Sequence, residues 1–292
     1  MAKVMIGDDD PDRRKIGRRG ALKWLLGGAA ATAAGCAVDG FFIEPRRLSI
    51  TRRVIHSGGL PHDLNGLKVG LLSDFHFSPG NDELLLEKVV GAVRREKVDV
   101  LALTGDYMCN NPKVVAPMLE ILKHLDAAQG VFAVMGNHDG WAGNRATIRR
   151  EFESAGIGFL INQHSLVRIR GTVLAVAGTD FVWLGKPDVE KTLHGIPAKT
   201  PILAMVHEPD YFDTVVAQRP VMLQVSGHTH GGQCRVPGIG YAPRRVKMGK
   251  KYLYGEYHSH QSKLFVTRGV GTTGLRVRFA CLPEFAVLTL RT

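Results

Sequence analysis

Lys68-Val-Gly-Leu-Leu-Ser-Asp-Phe-His76 is an apolar run that stops abruptly on an acid and an imidazole, and the chain repeats this design four more times. Val98-Asp-Val-Leu-Ala-Leu-Thr104 leads into Gly105-Asp106, and Val131-Phe-Ala-Val-Met135 into Gly136-Asn-His-Asp139. Ile202-Leu-Ala-Met-Val206 leads into His207, and Val221-Met-Leu-Gln-Val-Ser226 into Gly227-His-Thr-His230. Short, β-branched, nearly continuous apolar runs are the mark of strands buried on both faces. Polar groups at the carboxyl ends of such strands collect along one edge of a sheet, where α/β folds place their sites.

Seven of these side chains are hard or borderline metal donors: Asp74, His76, Asp106, Asn137, His207, His228 and His230. Carboxylate, imidazole and amide oxygen suit Mn²⁺, Fe²⁺ or Zn²⁺ without any thiolate. A single carboxylate can bridge two such ions, as in two-metal hydrolases. Each piece alone is weak, since a Gly-Asp after a strand is ordinarily a turn. Five in order, each at a strand end, point to a dinuclear centre.

The series Asp-x-His, Gly-Asp, Gly-Asn-His-Asp, His, Gly-His-Thr-His resembles the calcineurin-like metallophosphoesterase superfamily, from about Leu67 to the C-terminus. The resemblance implies an α/β four-layer sandwich, two mixed sheets flanked by helices, with the metals at strand ends. It implies one ion held by Asp74, His76, Asp106 and His230, and a second by Asp106, Asn137, His207 and His228, with Asp106 bridging. His138 then faces the scissile bond, oriented by Asp139. An imidazole so held is a good proton donor to a leaving oxygen. Two divalent ions are expected, Mn²⁺ first.

His207-Glu-Pro-Asp210, the run Gly227 to Pro237, Thr267-Arg-Gly-Val-Gly-Thr272 and Phe41-Phe-Ile-Glu-Pro45 are similar to one bacterial branch. Its members are membrane-associated or twin-arginine-exported phosphodiesterases related to UDP-2,3-diacylglucosamine hydrolases of lipid A synthesis. Two other branches do not match. Protein phosphatases carry an Arg soon after the Gly-Asp to grip a monoester, whereas here Gly105-Asp-Tyr-Met-Cys-Asn110 follows. Purple acid phosphatases need a Tyr three residues after that Asp, where Cys109 stands. The expected activity is therefore hydrolysis of a phosphodiester or pyrophosphate. A phosphomonoesterase acting on a lipid headgroup or phosphoprotein is the alternative, and a membrane-bound scaffold on the same fold the non-enzymatic one.

The chain has 292 residues, 45% hydrophobic, enough for one well-buried α/β domain. Of its net charge of +11, residues 1–53 carry +5 and the remainder +6. That balance suits an anionic phosphoester substrate and a membrane surface. No nucleic-acid motif accompanies it, so no nucleic-acid partner is expected; the oligomeric state is open. Residues 1–40 read as a Tat-like signal or N-terminal membrane anchor. Arg18-Arg19 precede a Gly/Ala-rich run over residues 25–38, about 14 residues, short of the ~20 a spanning helix needs. The expected location is thus periplasmic or membrane-associated, with a cytoplasm-facing anchor as the alternative. Cys36 sits in a lipobox-like Ala33-Ala-Gly-Cys36, and a Cys234–Cys281 pair is conceivable in an oxidising compartment.

Residues 41–66 read as a juxtamembrane lead-in and first strand, and 67–292 as the catalytic domain. Helices are expected over residues 83–97, after the Asn111-Pro112 cap, and over 144–155; a hairpin over 167–177; late strands over 263–267 and 285–290. Gly269-Val-Gly-Thr-Thr-Gly274 matches a dinucleotide fingerprint. The alternating Leu275-Arg-Val-Arg-Phe279 after it predicts a strand where that site needs a helix. Finally, residues 241–254 hold five cations, Arg244, Arg245, Lys247, Lys250 and Lys251, and three tyrosines. They read as a projecting loop that grips an anionic headgroup beside the metals.

Overall fold

The computed structural model describes residues 18–58, 60–236, 238, 240–242 and 246–292, and it divides into two units, 1–39 and 40–292. The described part of the first unit is one helix, α1, Arg18–Val38. The apolar run predicted a segment too short to span a membrane. The helix is longer because it starts at Arg18 and recruits Leu22 and Trp24. Its 21 residues reach about 31 Å at 1.5 Å per residue, the thickness of a bilayer core. By length and composition it can cross a membrane, a property that signal sequences share.

In the second unit, one six-stranded sheet has the order β1 (Ser49–His56), β14 (Glu284–Arg291), β2 (Lys68–Leu72), β3 (Val100–Leu103), β4 (Val131–Ala133), β5 (Gly158–Phe159). The other runs β12 (Gly255–Ser259), β13 (Ser262–Val266), β9 (Leu223–Ser226), β8 (Ile202–Met205), β7 (Thr172–Gly178), β6 (Gln163–Ile169). A two-stranded ribbon joins β10 (Cys234–Val236) to β11 (Gly240–Ala242). Both large sheets are mixed. β14 runs parallel to β1 but antiparallel to β2, and the β6–β7 hairpin closes one edge of the second sheet.

Alternation along each strand builds three apolar layers. Val69 and Leu71 of β2 and Val100 and Ala102 of β3 meet Leu203, Met205, Leu223 and Val225 between the sheets. Their alternates Leu72, Leu101 and Leu103 face α2 (Glu83–Glu96), α3 (Val115–Leu122) and α5 (Arg145–Ser154). Ile202 and Ala204 face α6 (Val189–Leu193) and α7 (Phe212–Gln218). The result is the four-layer sandwich, two mixed sheets between helices.

Local signals set the helix limits. Asn111 accepts from Lys113 N at 3.1 Å, and Asn144 from Ala146 N at 3.0 Å, which satisfies donors a helix start leaves open. Within residues 41–66, β1 begins at Ser49. Before it, Glu44 is buried and accepts from the backbone N–H of Ala280 at 2.8 Å and that of Cys281.

The strand expected at residues 275–279 does not form. Arg278 is instead fully buried and donates to the carbonyls of Arg268, Gly269, Gly271 and Cys281. A guanidinium with five donors spends them folding this loop over the end of β2, where Val270 N reaches Ser73 O at 2.9 Å and Gly271 N reaches Asp74 O at 2.7 Å. No helix follows Gly274, so the Gly-rich stretch is a packing device and not a dinucleotide site. The four cysteines are free, Cys234 and Cys281 included.

Candidate metal centre

Five of the seven predicted ligands sit where the chain leaves a strand in a left-handed turn: Asp74 (φ 53°), His76 (41°), Asp106 (55°), His228 (71°) and His230 (51°). This region is uncommon for residues with a Cβ and persists only where surrounding contacts over-determine it. Those contacts are present. Asp74 N donates to Gly105 O and His76 N to Asp106 O, both at 2.9 Å. His228 N donates to the Asp74 carboxylate at 2.9 Å. The glycines before the motifs permit the close approach. A Cβ on Gly136 would lie 2.1 Å from Asp106 Oδ1, and one on Gly227 1.9 Å from Ser73 Oγ.

All seven side chains are buried, and the two carboxylates and four imidazoles converge. His76 Nε2 lies 3.1 Å from His230 Nε2, and His230 Nε2 lies 3.6 Å from Asp74 Oδ1. His207 Nε2 lies 3.3 Å from His228 Nδ1. Asp106 Oδ2 stands between the two groups, 3.5 Å from His76 Nε2 and 3.2 Å from His207 Nε2. Outer partners choose which nitrogen faces inward. His207 Nδ1 is committed to Thr104 O at 2.6 Å, His228 Nε2 to Lys247 O at 2.7 Å, and His76 Nδ1 to Cys109 Sγ at 3.3 Å.

Burial sets the charge state of most of these groups. Burial lowers His76 to about 4, His228 to about 3, and His230 well below its ordinary value, so three neutral imidazoles present lone pairs. Burial also pushes Asp74 up to about 6. For Asp106 burial works the same way, but His207 and His76 outweigh it and hold the carboxyl well below its usual range. His207 is correspondingly raised, its burial outweighed by Asp106. The buried Oδ1 of Asn137 has no hydrogen-bond partner, which costs about 1–3 kcal/mol unless something accepts its lone pair. Nitrogens facing one another, a carboxylate between them and an orphaned amide oxygen fit a divalent metal site. Asp74, His76 and His230 form one ligand-like group and Asp106, His207 and His228 another, while His76, Asp106 and His138 form a third.

His138 lies on α4 (Asn137–Ala142), its ring 4.8 Å from that of His76. The expectation that Asp139 orients it is corrected. Asp139 faces the backbone and accepts from the N–H groups of Asp106 and Tyr107 at 2.8 Å and of Gly136 at 2.9 Å. A carboxylate surrounded by backbone donors holds the Gly105–Tyr107 turn against α4 and has no reach left for an imidazole. The carbonyl of Cys109 takes that role, accepting from His138 Nδ1 at 3.1 Å. Cys109 thus touches both His76 and His138, which its sequence position did not signal. Tyr107 points into the core, its hydroxyl 3.0 Å from the carbonyls of Leu103 and Val134.

Of the basic segment, Arg244 and Arg245 lie outside the described residues. Residues 247–254 are tied back to the domain. Asp210 accepts from the backbone N–H of Lys250 and Lys251 at 2.9 and 3.1 Å. Lys251 Nζ pairs with Asp213 at 2.8 Å, and Tyr252 is buried with its hydroxyl on the same carboxylate. Lys251 is therefore directed at α7. Lys247 does border the centre, its ammonium 5.9 Å from the centroid of Trp183, whose ring neighbours that of His228.

A model of calcineurin-like phosphoesterases matches residues 67–232. The uncharacterized metallophosphoesterase YkuE of Bacillus subtilis is 33% identical over 289 residues, covering 95% of this chain and 99% of that protein. Phosphodiesterase YaeI of Escherichia coli is 31% identical over 227 residues, covering 76% of this chain and 82% of its own. A transmembrane protein with a metallophosphoesterase domain from Danio rerio is 30% identical over 80% of this chain, which spans 55% of that relative.

Proposed function

The chain belongs to the calcineurin-like phosphoesterase family and is a metal-dependent phosphoester hydrolase, and from that premise we propose that it cleaves a phosphodiester or pyrophosphate with two divalent ions, Mn²⁺ first among them. The observation that carries the choice of ester is the turn after Asp106. Its next residues bury Tyr107 and Met108 in the core and aim Cys109 at His76, so this turn offers no cation to a dianionic monoester. Arg145, nearby in sequence to His138, is paired with Asp180 at 2.6 Å. The likeness to a protein named a phosphodiesterase supports the same choice.

Asp74, His76, Asp106 and His230 would hold one ion, and Asp106, Asn137, His207 and His228 the other. When bound, such ions polarise the phosphoryl group and ease deprotonation of the attacking water. The protein's own part is positioning. Nδ1 of His138 is committed to Cys109 O, so Nε2 is the atom through which a proton passes to the departing oxygen. The purified full chain is expected to hydrolyse bis(p-nitrophenyl) phosphate, to lose that activity on exhaustive chelation and to regain it with Mn²⁺. Turnover that survives chelation would falsify the metal reading.

Arg18 and Arg19 open α1, and α1 with them supports an N-terminal segment of the twin-arginine export type, residues 1–40, ahead of a lead-in over 41–66 and the catalytic domain over 67–292. Export of the folded, metal-loaded domain would place it outside the cytoplasm or on the membrane's outer face, against an anionic surface. A narrower substrate, lipid-linked or nucleotide-linked such as UDP-2,3-diacylglucosamine, suits the opposite face, so sidedness decides it. A C-terminal reporter active only after translocation is expected to register; activity confined to a cytoplasmic reporter would replace the export signal with an inward-facing anchor.

A further inference from the structure

Beside the ligands runs an aromatic wall that neither the metal set nor the proton donor requires. Trp141 lies one helical turn after His138 on α4, its ring 5.0 Å from the His138 ring. Trp183 meets Trp141 edge to face at 4.7 Å and 87°, and reaches to 6.3 Å from His228. The two indoles thus cover the arc from the proposed proton donor to a ligand of the second ion. Trp141 is 41% exposed, and Leu184 beside Trp183 is 76% exposed. Large apolar side chains left open next to a reaction centre mark a binding surface more often than a packing remnant.

The wall is also held in place at some cost. Glu208, fully buried, accepts from Val182 N at 2.9 Å and Trp183 N at 2.8 Å. Asp180, buried too, accepts from Lys186 N at 3.0 Å and pairs with Arg145. Trp141 Nε1 donates to the backbone carbonyl of Trp183 at 3.3 Å, which ties the Trp141 ring to the loop that carries Trp183. Two buried carboxylates fix a loop that carries the half-buried Trp183 and the exposed Leu184. Buried carboxylates are costly unless paired or hydrogen-bonded, and both of these spend their oxygens on the loop that carries Trp183.

We propose that Trp141 and Trp183 form a stacking subsite for a planar aromatic group of the substrate, a nucleobase or aryl ring joined to the scissile phosphate. This rests on the phosphodiesterase reading above. Perpendicular indoles leave a π face and an edge for a flat ring, and Lys247 over Trp183 adds a cation suited to a second phosphate or an electron-rich ring. Stacking of this kind tolerates any base, because every base has a π face.

The test compares bis(p-nitrophenyl), hexyl p-nitrophenyl and methyl p-nitrophenyl phosphate, which share a leaving group. In the wild type, kcat/KM is expected to favour the bis-aryl ester. In Trp141→Ala and Trp183→Ala that preference over the methyl ester falls roughly 10-fold, mainly through KM, and Trp→Phe restores most of it. Uridine 5′-monophosphate is expected to quench tryptophan fluorescence saturably in the metal-loaded wild type and not in the double variant. A preference unchanged by the substitutions, with all rates falling together, would reduce the pair to packing for His138. An equal loss for the hexyl ester would make the wall a general apolar surface for alkyl chains and overturn the stacking subsite. If no diester is cleaved, the phosphodiesterase reading fails, and the fluorescence titration still decides the subsite.

Discussion

Asp106→Asn is expected to strip both metal positions at once and to lower turnover by at least roughly 10³-fold, the largest loss of any single ligand change. The reason lies in how its two oxygens are used. Oδ1 accepts from His138 N at 2.9 Å, while Oδ2 sits 3.5 Å from His76 Nε2 and 3.2 Å from His207 Nε2. An amide must keep its oxygen toward the His138 N–H, so its NH₂ turns toward the imidazoles. Donors would then occupy the space where a cation needs lone pairs, and the charge that binds it would be gone. Asp74→Asn removes one carboxylate from one group only and is expected to be milder. Elemental analysis of wild type and variant should show about two ions falling below one. Two retained ions with near-normal turnover would mean that Asp106 is not shared.

The centre was legible because its chemistry sits at points where the pattern changes. A short, nearly continuous apolar run that ends on Asp, His or Gly announces a buried strand and a turn together; three such ends, on β2, β3 and β4, belong to one sheet and two, on β8 and β9, to the other, a division the runs themselves did not reveal. What the pattern did not show is direction. Asp139 follows His138 directly, which invites a side-chain pair, yet one residue along a helix turns a side chain by 100°, and Asp139 faces the Gly105–Tyr107 backbone. Lys251 and Tyr252 read as an open, basic, aromatic loop because Asp210 and Asp213, which tie it down, lie some forty residues earlier. Arg278 and Glu44 left no signal at all. Their partners are backbone groups, which carry no residue identity. Trp141 and Trp183 were invisible for a related reason, being 42 residues apart and joined only through the fold. Metal ligands are defined by type and strand position; the residues that hold and surround them are defined by tertiary contact.

His138→Ala separates the two roles that proximity to the metals leaves open. The His138 ring lies 4.8 Å from the His76 ring, and one of its nitrogens groups with a His76 nitrogen and an Asp106 carboxylate oxygen closely enough for a shared ion. Yet Nδ1 is spent on Cys109 O, and the proposed first ion would be held by Asp74, His76, Asp106 and His230 without it. The variant is therefore expected to keep its metal content while turnover falls by roughly 10²–10⁴, the scale of a lost general acid. The fall should shrink as the leaving group improves, because a good leaving group needs no proton. Dinitrophenyl esters should lose less than alkyl esters. Asp139→Ala gives the contrast. It strands at least three buried N–H donors, so it is expected to lower unfolding stability by about 2–4 kcal/mol, where His138→Ala leaves stability nearly unchanged. Metal loss in His138→Ala, with a deficit independent of leaving group, would make His138 a ligand and hand proton transfer to solvent.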